Sequence, residues 1–341
     1  MASYLTFDLG TTALKTALVS DEGEVLALSS QEYQFRAARP GWAEMAPDTY
    51  WQALLAGAQE VLDANAGQEV LAIGFSSQGQ TFIPLDPKGR PLSDAIVWVD
   101  NRAQEIAEGL VDQGLSADHF QQLTGYPGIP AALTVFKLAW LAHHAPGVHS
   151  AWKFPQLPDY LIWRLTGEFM TDYVIGQMSG LMDKQTKKWS PELLAIAGVT
   201  SGQLSAIAEP GRVAGKLLNE PARLLGVPEG TPVCLGCNDQ LAGALGVGNV
   251  EAGLVSETTG TALAGIVTLA EPLEGAPVYL GNHAVPGLSY LMPYAQVSGV
   301  LLSWLREWSR PSITIQELLA QAEAVPAGSE GLLVLPGFEG V

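Results

Sequence analysis

Asp8-Leu9-Gly10-Thr11-Thr12 puts a carboxylate, a glycine and two hydroxyls within five positions. A tight turn of that composition aims several backbone N–H groups and two hydroxyls at one point, a concavity that suits a phosphate. An Asp just before the turn is where a hard divalent cation would be held, because Mg²⁺ takes oxygen ligands and bridges carboxylates to phosphates. An ordinary hairpin uses Gly and Thr equally well, so this stretch alone leaves both readings open. A second stretch echoes it: Glu257-Thr258-Thr259-Gly260-Thr261-Ala262-Leu263 again follows an acidic residue with Gly and Thr and then Thr-Ala-Leu. Two such loops suggest a duplicated unit that grips a polyphosphate from both sides.

The elements that must hold these loops can be read from pattern. Tyr4 to Phe7 and Ala13 to Val19 predict two strands flanking the first loop, with a turn at Asp21-Glu22-Gly23 and a third strand at Val25 to Ser30. Pro47-Asp48 opens a helix in which Tyr50, Trp51, Leu54, Ala58, Val61 and Leu62 recur at helical spacing. Val70 to Phe75 predicts a buried strand, and Phe82 to Leu85 and Ile96 to Val99 two more. Helices are expected from Asn101 to about Leu165, with Pro130 in a first helical turn. Pro232 to Leu235 predicts a strand running into a helix from Asp239. Gly253 to Val267 predicts a second hairpin, followed by helices at Val297 to Trp308 and Ile315 to Ala324 and a strand at Leu332 to Leu335. Antiparallel hairpins first, then strands alternating with helices, define an α/β fold with a mixed sheet flanked by helices. The expected seam lies near Gly246-Val247-Gly248.

Bulk properties exclude several classes. At 341 residues the chain is comfortable for two domains, and 48% hydrophobic residues with 37 glycines and 22 prolines describe a folded protein with many tight connections. A formal charge of −18 argues against a nucleic-acid or anionic-membrane binder, since either needs a basic face. No apolar run is long enough to span a bilayer, and no secretory segment precedes the first strand, so a cytoplasmic location is expected. Cys234 and Cys237 cannot make a disulfide framework. Their Cys-x-x-Cys spacing has no second pair and follows a hydrophobic strand, so buried thiols are expected rather than zinc. Gly246-Val247-Gly248 fails the dinucleotide fingerprint because Glu251 holds its third glycine position. His143-His144 reads as an exposed helix end, and His283 has no clear chemical role.

Several segments, in order along nearly the whole chain, resemble the FGGY family of carbohydrate kinases, which includes xylulokinases, gluconokinases and glycerol kinases. Phe7-Asp8-Leu9-Gly10-Thr11-Thr12 is similar to its first phosphate loop. Gly41-Trp42-Ala43-Glu44 with Pro47 and Trp51 is similar to a Trp-Glu-Gln-Asp-Pro stretch, with Met45 and Ala46 in place of Gln and Asp. Trp98-Val99-Asp100-Asn101-Arg102 resembles a Trp-x-Asp-x-Arg segment of the sugar site. Pro158-Asp159-Tyr160-Leu161 with Arg164 to Glu168, and then Thr171-Asp172-Tyr173, resembles a typical helix of the family. Gly236-Cys237-Asn238-Asp239-Gln240 through Gly246 resembles the stretch that carries the catalytic Asp.

The resemblance implies an actin-like, ribonuclease H-like ATPase fold. Residues 1–246 would form the first domain, with residues 247–341 the partial start of a second. It implies transfer of the γ-phosphate of ATP, with Mg²⁺, to a hydroxyl of a ketose, polyol or sugar acid, a xylulose-like substrate being favoured. Phosphoryl transfer needs positioning, charge neutralisation and a group that orients the attacking hydroxyl. Asp239 is the implied base and also a substrate contact, although an Asp at a strand-to-helix junction can equally cap the helix. Asp8 would serve the metal. Gly10, Thr11 and Thr12 would hold phosphates from the first domain and Thr259, Gly260 and Thr261 from the second, where Thr258 stands in place of the usual Gly. Lys15, on a strand, is expected to be solvated.

The implied sugar site combines Gln78, Gln80, Asp100 and Arg102 with Asp159, and Trp42 and Glu44 could line it. An Asp-x-Arg pair is as often a structural ion pair. Ser77-Gln78-Gly79-Gln80 lacks the Met-His of xylulokinases and the Arg-Glu of glycerol kinases, so the sugar is left open. Nothing near Gly337 to Val341 matches the family's Gly-Gly-Gly-Ala adenosine stretch, which keeps a non-catalytic sugar-binding remnant as the alternative. Partners are expected to be the sugar and ATP, with neither nucleic acid nor membrane, and a homodimer is compatible with this reading.

Overall fold

The computed structural model describes residues 2–259, 263–295, 299–309 and 312–334. Strands β1 (Ala2–Leu9) and β2 (Ala13–Ser20) form the expected hairpin around Gly10 to Thr12, and β3 (Val25–Glu32) extends it. In β1 and β2, Leu5, Phe7, Leu9, Leu14 and Leu18 point into the core in strict alternation, the period of a strand with one buried face. Helix α1 (Pro47–Asp63) has no side-chain cap but starts with proline in its first turn, where the absent N–H costs nothing. Its buried Tyr50, Trp51, Leu54, Ala58 and Val61 cover the hairpin.

Strand β4 (Glu69–Ser77) pairs parallel to β1, placing Asp8 beside Ser76 and Leu9 beside Ser77. Strand β5 (Val213–Lys216) pairs antiparallel with β6 (Pro232–Cys234), which lies parallel to β4. A further two-residue strand, β7 (Cys237–Asn238), pairs parallel to β4 with Cys237 beside Ser76. The step from β6 to β7 passes so close to β4 that a Cβ at Gly236 would lie 1.5 Å from the Phe75 carbonyl oxygen, so only glycine fits there. The sheet runs β5-β6-β4-β1-β2-β3 and is mixed, as expected for an α/β fold.

Helices α2 (Gln104–Asp112), α3 (Ala117–Thr124), α4 (Thr134–His144), α5 (Leu157–Thr166) and α6 (Tyr173–Met178) follow β4, and α7 (Asp239–Gly246) follows β7. Strands β8 (Val255–Thr259), β9 (Leu263–Leu269), β10 (Tyr279–Asn282) and β11 (Ser289–Met292) form a second, antiparallel sheet in the order β8-β9-β11-β10. Helix α7 packs on β8 and β9. The second sheet is pinned to the helical layer by buried polar groups. Gln177 donates to the carbonyls of Thr124 and Leu280 and accepts from Asn282, and the Leu280 N–H donates to the Gly125 carbonyl at 3.0 Å. Two hydrophobic clusters result, one under the first sheet with α1 and α5, the other among α2 to α4, α6, α7 and the second sheet.

Four expectations need correction. Residues 82–85 form only isolated bridges, at Phe82 and Leu85, because Pro84 has no N–H to continue a ladder. The strand expected at 96–99 is confined to Ala95–Ile96, since the chain turns where the Asp100 N–H donates to the Val97 carbonyl. Pro130 precedes α4 by four residues, and its carbonyl accepts from Leu133 in a turn. Leu332 to Val334 are not strand, and Leu335 lies outside the described residues. Helices α8 (Gly299–Ser309) and α9 (Ile315–Glu323) match the expected ones, with Val297 and Ser298 outside the described residues.

Candidate active site

The C-terminal ends of β1, β4 and β7 lie side by side, so Asp8, Ser76 and Cys237 share one row and Asp239 follows two residues beyond it. Ligand sites in open α/β sheets form at such strand ends. Ser76 Oγ donates to Asp8 Oδ1 at 2.9 Å. Asp239 is half-buried, and burial first and the charge of Asp8 second push its carboxyl up to about 6. Two lesser contacts oppose that shift: the Gln240 N–H at 2.8 Å and the Asn238 side chain at 2.9 Å both donate to Asp239 Oδ1.

Asn238 is the N-cap residue of α7, and the Gln240 N–H is shared between its Oδ1 at 3.1 Å and Asp239 Oδ1. Asp239 is the first residue of α7, and among the described residues its Oδ2 accepts no hydrogen bond. Its pKa lies close to the operating range of a general base.

The turn between β1 and β2 is held from several sides. The Gly10 carbonyl accepts from Tyr33 Oη at 2.8 Å and Gln78 Nε2 at 3.1 Å, and the Thr12 carbonyl accepts from the Tyr33 N–H at 2.9 Å. Trp98 Nε1 donates to Thr11 Oγ1 at 2.8 Å. Thr12 and Lys15 are exposed. Thr259 ends β8, while Gly260 and Thr261 lie outside the described residues.

Gln78 is buried against the Gly10 loop. Gln80 adopts the left-handed backbone region, φ 65°, rare for a residue with a Cβ. Its side chain donates to Tyr126 Oη at 2.7 Å and its carbonyl accepts from Thr134 Oγ1 at 3.1 Å. Non-glycine residues held in this region cluster at ligand sites.

Asp100 and Arg102 behave otherwise. The Asp100 side chain has no exposed surface and that of Arg102 is 3% exposed. Asp100 accepts from the Ala43 N–H and from Arg102 Nε and Nη2. Arg102 also reaches Glu44 at 2.8 Å and stacks 3.8 Å over Trp42. Both Asp100 oxygens are engaged, and the pair ties the Trp98 to Arg102 segment to Ala43, Glu44 and Trp42. Nothing local in Asp-x-Arg reveals this, because Trp42 and Glu44 arrive from another element. Asp159 is also buried, and its Oδ2 accepts from the Gln156 N–H within a capping box at the start of α5. Burial pushes it up to about 8, and its described contact ties it to the start of α5.

Three contributors escape a reading of sequence alone. Ser76 is one, signalled only by its place two residues before Gln78. Tyr33 and the indole of Trp98 are the others, and they reach the loop across elements. Cys237 is buried and Cys234 partly so, both as free thiols. Among the described residues no group of three or more His, Cys, Asp and Glu could hold a metal ion by itself, and no helix is long and apolar enough to cross a membrane.

This is the geometry of an α/β phosphotransferase, with a Gly-Thr turn and two acidic residues at the ends of the strands that flank β4. The N-terminal-domain model of the FGGY family of carbohydrate kinases matches residues 3–246. The chain is 32% identical to a xylulose kinase of Lactococcus lactis, the match covering all of this chain and 68% of that protein. It is 28% identical to a gluconokinase of Bacillus licheniformis over the same shares. The structure superposes on that of a ligand-bound xylulose kinase from Lactobacillus acidophilus with a TM-score of 0.93 at 28% identity, covering 100% of this chain and 69% of the other. The chain belongs to the FGGY family of carbohydrate kinases. It is thus a phosphotransferase acting on an alcohol group, with ATP use implied by the family.

Proposed function

We propose that the chain transfers the γ-phosphate of ATP to a hydroxyl of a ketose, polyol or sugar acid, with a xylulose-like sugar favoured. The observation that carries this is that β1 and β7 both pair with β4, which brings Asp8 and Asp239 to the same end of the sheet beside the Gly10 turn. Asp239 orients the acceptor hydroxyl and takes its proton. Gly10, Thr11 and Thr12 offer donors to phosphate oxygens, and Thr259, Gly260 and Thr261 do so from the second hairpin. Residues 1–246 form the first domain and residues 247–341 the start of the second.

Asp8 would hold Mg²⁺. A lone pair of carboxylates fits a cation that keeps most of its waters and takes its other ligands from phosphates, and the metal would neutralise charge on the phosphoryl group. Gln78 and Gln80 supply polar groups to the acceptor, while Asp100 and Arg102 fix the segment that follows Trp98. The likeness to xylulose kinases favours a pentulose. Closure around both substrates would exclude water and limit hydrolysis of ATP.

The test is ATP consumption with Mg²⁺ across pentuloses, hexuloses, polyols and sugar acids. Turnover with one class, lost in Asp239→Ala, is the expected result. Sugar binding without turnover in any member of the panel would favour the sugar-binding remnant instead.

A further inference from the structure

The Thr11 hydroxyl has an unusual partner. An indole N–H can only donate, so the 2.8 Å contact from Trp98 Nε1 makes Thr11 Oγ1 an acceptor there. The hydroxyl hydrogen is then left to donate, and among the described residues no protein group accepts it. Phosphate oxygens at neutral pH are acceptors. An indole lodged on one side of the hydroxyl therefore commits it to the polarity a phosphate needs.

Trp98 is itself held firmly. Its backbone N–H donates to Thr81 Oγ1 at 3.0 Å, and its carbonyl accepts from Lys137 Nζ at 3.1 Å. The Lys137 side chain is fully buried, and its Nζ also donates to the Val97 carbonyl at 2.8 Å. Two residues on, Asp100 is locked by Arg102 and Ala43. Thr81 adjoins Gln80, and Gln78 donates to the Gly10 carbonyl. The acceptor side thus touches the first loop twice, once at its backbone through Gln78 and once at a side chain through Trp98.

We propose that Trp98 is a positioning residue that fixes the Thr11 hydroxyl as a phosphate donor and couples the segment carrying Gln78, Gln80 and Asp100 to the first phosphate loop. The proposal rests on the phosphate-loop reading above. An acceptor sugar that steadies this segment strengthens binding of the phosphate donor, and the reverse must hold to the same factor.

The test uses the full chain and titration calorimetry with a non-hydrolysable ATP analogue and Mg²⁺, with and without xylulose, the analogue standing for ATP in every binding comparison. The variants are Trp98→Phe, Thr11→Val, their double, and Thr12→Val. One lost hydrogen bond of this kind predicts about tenfold weaker ATP binding for Trp98→Phe. The double variant should bind no more weakly than Thr11→Val alone, and the strengthening by xylulose should vanish in all three. In protein labelled with ¹⁵N-tryptophan, the indole N–H resonance lost in Trp98→Phe should shift in Thr11→Val.

Wild-type affinity in Trp98→Phe, additive losses in the double variant, or an unmoved resonance would overturn the proposal while leaving the phosphate loop standing. If Thr11→Val and Thr12→Val both bind ATP as the wild type does, or the wild type binds none, the phosphate-loop reading fails and the proposal with it.

Discussion

Replacing Asp239 with asparagine should abolish phosphoryl transfer and, in metal-free protein, make the fold more stable. Burial and the facing charge of Asp8 raise the Asp239 carboxyl from 3.8 to about 6. A shift of about two units at about 1.4 kcal/mol each sets a ceiling of about 3 kcal/mol on the cost of ionising it in the fold. Solvent at its half-buried edge reduces that, and about 1–2 kcal/mol is expected. A carboxyl whose folded pKa is raised favours folding while protonated. Its contribution is full below the unfolded value of 3.8 and is lost as pH climbs through about 6.

The difference in Tm between Asp239→Asn and wild type should therefore be near zero at pH 4, grow between pH 4 and 6, and level off above that at a few degrees. Calorimetry in chelator across that range measures it. Adding Mg²⁺ should narrow the gap by offsetting the two carboxylates in the wild type. A gap that is independent of pH, or a variant less stable than wild type at pH 7.5, would refute the electrostatic argument.

Other expectations are open to direct measurement. Arg102→Met leaves Asp100 charged and buried without its partner, which should cost about 3–5 kcal/mol in chemical denaturation. A substitution at a true sugar contact would instead raise KM and spare stability. Gly125→Ala puts a Cβ 2.0 Å from the Leu280 carbonyl oxygen at φ 86°, and the strain and overlap should cost roughly 3 kcal/mol or more. Limited proteolysis should then release the second sheet first. Lys137→Met removes the donor from the Val97 and Trp98 carbonyls and should cost about 1–3 kcal/mol. Because burial lowers the Lys137 amine to about 7, the wild type should gain stability as pH rises from about 7 towards 10, and the variant should lose that slope in urea titrations.

What the sequence disclosed depended on how local the determining contacts are. The hairpin around Gly10, helix α1 and strand β4 follow from short-range alternation, helical spacing and turn residues, and they stand where expected. Phe82 to Leu85 has the same apolar look, yet it pairs only at single bridges with segments as distant as Gln156 and Lys153. The nearness of Asp8 and Asp239 follows from β1 and β7 both pairing with β4, which no spacing encodes, and the family resemblance stood in for that topology. The Asp100–Arg102 pair shows the opposite limit. Its residue types suit a polyol, and only the arrival of Trp42, Glu44 and Ala43 from elsewhere reveals that both side chains are enclosed.

The central claim, transfer to a sugar hydroxyl governed by Asp239, is tested most directly by ³¹P NMR of ATP, Mg²⁺ and D-xylulose incubated with the protein. The account predicts a sugar phosphomonoester signal growing in step with ADP and absent with Asp239→Ala. ADP accompanied only by inorganic phosphate, or a phosphomonoester formed undiminished by Asp239→Ala, would contradict it.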